Sequence, residues 1–206
     1  MTRIKLCGLK RICDVEWANE LAPEYIGFVF AVKSKRYVSY KEAEELKCKL
    51  DKSIKAVGVF VDEAPETIAE LCNQGIIDMV QLHGNEDEAY ICRLRAFTNA
   101  AIIKAFRVET KKDIQRANES SADFVLLDSG GGTGRAFDWG LLQGMERSYF
   151  LAGGLTPESV AAAINHLHPF GVDASSSLET DEYKDKKKMT AFVEAVRNRK
   201  EHNYGR

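Results

Sequence analysis

Strand-like apolar runs recur eight times along the chain, near residues 3–7, 25–30, 55–61, 78–82, 101–106, 123–128, 149–152 and 170–175. They begin roughly 20 to 30 residues apart, and most of the intervals hold a helical pattern. Strictly alternating strand–helix units require right-handed crossovers and a parallel sheet. Eight such units fit a closed (β/α)8 barrel, although 206 residues lies at the small end for that fold. An open doubly wound sheet is the alternative. It usually needs fewer strands and a glycine fingerprint after the first, and Cys7-Gly8-Leu9-Lys10-Arg11 is not GxGxxG. The expectation is an α/β chain forming one (β/α)8 barrel domain over residues 1–206, uninterrupted by linker or low-complexity sequence.

Local signals support the alternation. Ile12, Val15, Ala18 and Leu21 repeat after the first strand, and Ser39 with Glu42 forms a capping box after the second. Pro65 suits a first helical turn and Gly75 a helix end. Asn85, Thr110 and Thr156 read as later helix starts. A short sixth helix is expected around Trp139–Met145 and a final one from Lys187 to Arg199, followed by a frayed tail, EHNYGR.

Charge and cysteine usage narrow the function classes. Net charge is −2, from 29 basic and 31 acidic residues, so no basic field for nucleic acid stands out. The run Lys184–Lys188 reads as a solvated helix face. No apolar run approaches the roughly 20 residues of a bilayer span, and the N-terminus lacks signal-peptide character. Five cysteines, odd in number and without CxxC spacing, point to free thiols in a reducing cytoplasm and away from a disulfide frame or zinc site. His166 and His168 lack the partners of a metal site. Cys13, Cys48, Cys72 and Cys92 fall in helical patterns and read as packing residues.

Three of the last strands end in turns rich in Gly, Ser or Thr: SGGGTGR after Asp128, AGGLTPE after Leu151 and SSSLET after Ala174. Such turns let backbone N–H groups approach an anion, and the second also opens a helix. A barrel works at the C-terminal ends of its strands, and alternation decides which side chains arrive there. Ile4 and Leu6 should face the helices, leaving Lys5 and Cys7 inward; Val125 and Leu127 face out, leaving Leu126 and Asp128 inward. Cys7 reads either as a small core hydrophobe or as a base or nucleophile, and Asp128 either as a turn cap or as a chemical group. Asp173 and Ser175 point inward by the same rule, and Lys5 and Asp173 are expected to pair where strand eight closes on strand one. His83, in QLHG, either orients a loop or touches substrate. Arg36, in KSKRY, either clamps a carboxylate with its planar fork or is a solvated surface residue.

Taken in order, IKLCG at 4–8, GFVF with SKRYVS at 27–39, VGVFVDE at 57–63, VQLHG at 80–84, LLDSGGGTGRAFDW at 126–139, LAGGLTPESV at 151–160 and VDASSSLE at 172–179 resemble the phosphoribosylanthranilate isomerases of tryptophan biosynthesis. The resemblance implies an Amadori rearrangement of a phosphosugar without metal or organic cofactor. It implies Asp128 as general acid, Cys7 as general base and Arg36 as the holder of the anthranilate carboxylate. The phosphate would lie on the backbone of Gly153, Gly154, Ser176 and Ser177; the GGTG loop, Gly131–Gly134, with Gly132, Thr133 and Gly134 as candidate contacts, would close over the ribose side, and Asp173 would lie near the substrate's polar groups. The thiol must be available as thiolate, and the carboxyl must hold a proton near neutral pH. Ser177 departs from the family's glycine, which matters if that backbone needs a positive φ. A related aldose–ketose isomerase and a non-catalytic phosphosugar-binding barrel are the rival readings. The expected setting is cytoplasmic, as monomer or homodimer, with no nucleic-acid or membrane partner.

Overall fold

The computed structural model describes residues 1–128 and 139–198. Eight parallel strands close into a barrel in sequence order: β1 (Arg3–Cys7), β2 (Tyr25–Val29), β3 (Lys55–Phe60), β4 (Met79–Leu82), β5 (Ala101–Arg107), β6 (Phe124–Asp128), β7 (Tyr149–Ala152) and β8 (Gly171–Ala174). Around them run α1 (Ile12–Leu21), α2 (Tyr40–Lys47), α3 (Pro65–Asn73), α4 (Glu88–Arg95), α5 (Lys111–Glu119), α6 (Pro157–Leu167) and α7 (Lys186–Arg197). The barrel expectation is met, and the doubly wound alternative is not. The seam is set by β1 lying beside β8, with Lys5 opposite Asp173 and Leu6 opposite Ala174.

Two-residue alternation divides the side chains into two cores. Ile4, Leu6, Val125 and Leu127 point outward and pack with Val15, Ile114, Phe192 and Val196 from the helices. Inside the barrel Tyr25, Val57, Met79, Ile103, Leu126 and Phe150 form a separate layer, and Cys7, Val29 and Val59 form another. Phe150 is the hub of the lower interior. Its ring meets Tyr25 at 5.5 Å, Phe124 at 6.0 Å and Phe170 at 5.3 Å, all edge-to-face, the favourable aromatic geometry. Gly171 makes room for it, since a Cβ there would lie 2.6 Å from the Phe150 ring.

Helix boundaries follow their capping chemistry. Ser39 accepts from Glu42 N while Glu42 returns a carboxylate to Ser39 N at 2.7 Å. Pro65 opens α3, and Gly75 (φ 73°) follows its end. Four expectations need correction. α4 is capped by Asp87, whose carboxylate accepts from Tyr90 N, while Asn85 instead donates to Asp62. The sixth helix is a 3₁₀ segment, Trp139–Gly144, because two glycines in six residues disfavour a longer α-helix. Cys48 and Cys92 are exposed and do not serve packing.

Lys184, finally, is not on a helix face. It closes a two-stranded hairpin of β9 (Glu179–Thr180) and β10 (Tyr183–Lys184), and its side chain is buried. α7 begins only after Asp185, whose carboxylate accepts from Lys187 N and Lys188 N. The expected tail lies outside the described residues, and among those residues no helix is long and apolar enough to cross a membrane. Truncating the hub, Phe150→Ala, is expected to cost about 3–5 kcal/mol, read as a lower urea midpoint with an unchanged slope.

Candidate active site

The C-terminal strand ends surround one cleft of about 310 Å³. Cys7, Arg36, His83, Asp128, Gly153, Gly154, Asp173, Ser175, Ser176 and Ser177 all line it, so the inward positions read from alternation converge. Gly132, Thr133 and Gly134 lie outside the described residues. Val29, Ala31, Val59, Val61 and Leu155 give the cleft an apolar wall, while the thiol, the carboxylates and the imidazole supply its polar points. This mixture is what a small, partly aromatic ligand needs.

Cys7 is buried at the end of β1. Its height depends on two glycines. Gly27, its partner on β2, has no Cβ, and one added there would stand 2.6 Å from the Cys7 sulfur. Gly8 turns the chain at φ 81°, and a Cβ there would strike the Arg36 stem at 2.5 Å. Two residues before Cys7, on the same inward face of the strand, Lys5 is fully buried, with Nζ 2.9 Å from Asp173 Oδ1. The expected pair across the seam is present. Burial opposes the Lys5 charge, but Asp173 and the Cys7 sulfur outweigh it and raise the ammonium above its ordinary value. Burial likewise pushes the Cys7 thiol up; Lys5 pulls it back and Asp173 pushes it further, with a net rise. The thiolate is therefore less favoured in the ligand-free site than a neighbouring lysine alone would suggest.

His83 stands between the two readings made of it. Gln81 Nε2 donates to its Nδ1 at 2.9 Å, which leaves the neutral ring's proton on Nε2, 3.9 Å from Asp128 Oδ2. Burial lowers the imidazole pKa and outweighs the pull of Asp128, and this favours the neutral ring. It thus both buttresses the β4 loop and faces the carboxyl at the end of β6.

Arg36 is not a solvated surface residue. Its Nε and Nη2 grip both oxygens of Glu179 at 2.6 and 2.8 Å, a bidentate fork, while the side chain lines the cleft. Glu179 in turn accepts from Lys184 Nζ at 2.6 Å. Burial would push the Glu179 carboxyl up, but Arg36 and Lys184 overcome this and hold it down at about 2. Lys184 also donates to Ser175 O at 3.0 Å, and Ser175 Oγ donates to Cys7 O at 2.9 Å. Lys184 and the structural use of Glu179 were missed from sequence. Reading Asp185 as the cap of the last helix would have placed Lys184 outside it.

The phosphate-type turns differ in construction. Gly153 and Gly154 adopt φ of 90° and 67°, conformations that favour glycine, just before α6 opens at Pro157. Ser177 sits in a 3₁₀ turn, Ser176–Leu178, and is not among the described residues with positive φ. The serine in place of glycine is therefore unstrained here.

A family model described as N-(5'phosphoribosyl)anthranilate (PRA) isomerase matches residues 4–195. The chain belongs to that family. A phosphoribosylanthranilate isomerase of Thermoanaerobacter sp. (strain X514) is 43% identical over 204 residues, spanning 96% of this chain and 98% of its own length. The crystal structure of the Thermotoga maritima isomerase matches with a TM-score of 0.86 at 34% identity, covering 96% of this chain and all of that one. A further isomerase structure, in complex with reduced 1-(o-carboxyphenylamino)-1-deoxyribulose 5-phosphate, matches at 0.84 and 33% over 96% of this chain and all of that one. The activity is accordingly the isomerisation of N-(5'-phosphoribosyl)anthranilate in tryptophan biosynthesis, and the non-catalytic rival is not supported.

The electrostatics of the thiol are directly measurable. Alkylation of Cys7 by iodoacetamide, followed by peptide mass spectrometry against pH, is expected to have a midpoint above the ordinary thiol range of about 8.5. Lys5→Met removes the cation that lowers it, so the midpoint is expected to move further up; a downward move would contradict the assignment.

Proposed function

We propose that Cys7 and Asp128 divide the Amadori rearrangement between them as general base and general acid. The supporting observation is that two groups 121 positions apart in sequence, on the non-adjacent strands β1 and β6, open into the same cleft. Asp128 delivers a proton to the ribose ring oxygen while the anthranilate nitrogen pushes its lone pair toward C1′. The ring C–O bond breaks and an open-chain Schiff base forms. Cys7, as thiolate, then takes the proton from C2′, and the electrons of that C–H bond form the C1′–C2′ double bond of an enolamine. Gain of a proton at C1′ and loss of the hydroxyl proton at O2′ complete the ketone, 1-(2-carboxyphenylamino)-1-deoxyribulose 5-phosphate. No atom is gained or lost overall.

The remaining contacts orient the two ends of the substrate. The anthranilate ring lies on the apolar wall, its carboxylate directed to Arg36. The phosphate takes the backbone N–H groups of the turns after β7 and β8, at Gly153, Gly154, Ser176 and Ser177. His83 and Asp173 face the sugar hydroxyls, and Gly132, Thr133 and Gly134, which lie outside the described residues, are further proposed substrate contacts. Residues 1–206 form a single domain, cytoplasmic in setting, acting as monomer or homodimer on a small phosphosugar, without nucleic acid or membrane. A relative from Thermotoga maritima has been crystallised as monomers of a dimeric isomerase, which keeps both oligomeric states in view.

Turnover is followed by loss of substrate fluorescence. Cys7→Ala is expected to lower kcat by at least about 10²-fold with little change in KM, the usual scale for a general base. In wild type kcat/KM should be bell-shaped in pH, since one group must be deprotonated and the other protonated. Asp128→Asn should lose one limb together with most of the rate; full rate in that variant would remove Asp128 from the mechanism.

A further inference from the structure

The residues with no share in the proton transfers include two buried ions that nothing in the mechanism uses, Glu179 and Lys184. Lys184 has 1% and Glu179 6% of its side-chain surface exposed. Burying two charges is costly unless each is matched and hydrogen-bonded. Here each is matched twice, and in both cases the second partner belongs to the cleft. Glu179 holds Arg36 as well as Lys184, and Lys184 holds the Ser175 carbonyl as well as Glu179.

The consequence is geometric. Arg36 comes from the loop after β2 and Ser175 from the end of β8, and no backbone hydrogen bond joins these two residues. The two-residue strands of the β9–β10 hairpin join them through one carboxylate and one ammonium. The hairpin is itself anchored: Arg11 Nη2 donates to Lys184 O at 2.6 Å, and Lys188 Nζ donates to Glu179 O at 2.5 Å. With Nε and Nη2 of Arg36 committed to Glu179, the guanidinium cannot swing, and its Nη1 edge lies outside that pair. Ser175 is held at φ −136°, ψ −75°, outside the common backbone regions, by bonds from Lys184 to its carbonyl and from its own hydroxyl to Cys7 O.

We propose that Glu179 and Lys184 are positioning residues that fix the distance between the carboxylate-binding and phosphate-binding ends of the cleft. The ion pair acts as a ruler for a doubly anionic substrate, so its effect falls on recognition and not on the proton transfers. The proposal rests on the reading of Arg36 as the carboxylate holder.

The test is the double variant Glu179→Gln/Lys184→Met, which removes both charges and so leaves neither buried alone. KM, and the Kd of the reduced product 1-(o-carboxyphenylamino)-1-deoxyribulose 5-phosphate, are expected to rise at least about tenfold while kcat stays within about threefold. A folded variant with KM and Kd within about twofold of wild type overturns the proposal, as does a fall in kcat that accounts for the whole loss of kcat/KM. A scaffold role would lower the melting temperature without that KM-against-kcat split. If the double variant shows no cooperative unfolding, Glu179→Asp keeps the charge and shortens its reach. It should raise KM about threefold or more, and an unchanged KM again overturns the ruler. Arg36→Met, assayed in parallel, separates the two levels. If it leaves Kd unchanged, the carboxylate reading fails and the ruler with it; if it raises Kd and the double variant does not, the ruler alone fails.

Discussion

The seam between β8 and β1 governs the site. Barrel closure sets Lys5 opposite Asp173 and brings Ser175 Oγ within 2.9 Å of the Cys7 carbonyl. A one-residue slip there would turn every inward side chain of one strand toward the helices. Cys7 would leave the cleft, and Lys5 would enter an apolar interface without its partner. The ion pair is therefore satisfied only in the observed register, where Lys5 stands opposite Asp173. The aromatic layer beneath, centred on Phe150 and spaced by Gly171, holds the opposite side of the same seam.

The polar groups of the cleft are arranged for a ligand that is anionic at both ends. Arg36 lines the cleft, and Lys5 and Lys184 lie buried behind its lining; Asp173 and Glu179 supply the opposing carboxylates. Each cation is matched before substrate arrives, so little reorganisation is needed on binding. Preorganised groups of this kind are worth more in a dry site than mobile ones in water. The neutral imidazole of His83 fits the same economy, because it adds a donor facing Asp128 without adding charge.

How far these features could be read from the chain depends on the range of the interaction. The eight strands and the inward placing of Lys5, Cys7, Asp128 and Asp173 rest on a two-residue period that any local window contains. The helix starts at Ser39, Pro65 and Thr156 rest on capping rules spanning three or four residues. Partner choice has no such local signature. Arg36 meets Glu179 across 143 positions, and only the closed barrel brings the β2 loop to the β9–β10 hairpin. Lys184 was hidden for a different reason: the basic run that follows it resembles a solvated helix, and the cap at Asp185 that separates them is a single residue. The concern raised by Ser177 was resolved by a backbone angle, a quantity that residue type constrains but does not determine.

These interactions form a chain of consequences that starts at the thiol. The base proposed at Cys7 would remove a carbon-bound proton, a step that works best screened from water because the intermediates between ring opening and ketone are reactive. Screening requires burial, and burial raises the Cys7 thiol pKa. The raised thiol is a stronger base once ionised, but each unit of rise lowers the thiolate population about tenfold while the gain in proton-transfer rate is smaller than that. The shift is a net loss unless a cation limits it. Lys5 is that cation, and at this depth an ammonium is tolerated only beside a carboxylate, which Asp173 provides from the neighbouring strand. The demand for a dry thiol thus propagates through Lys5 to Asp173, and from there to the register in which the barrel closes.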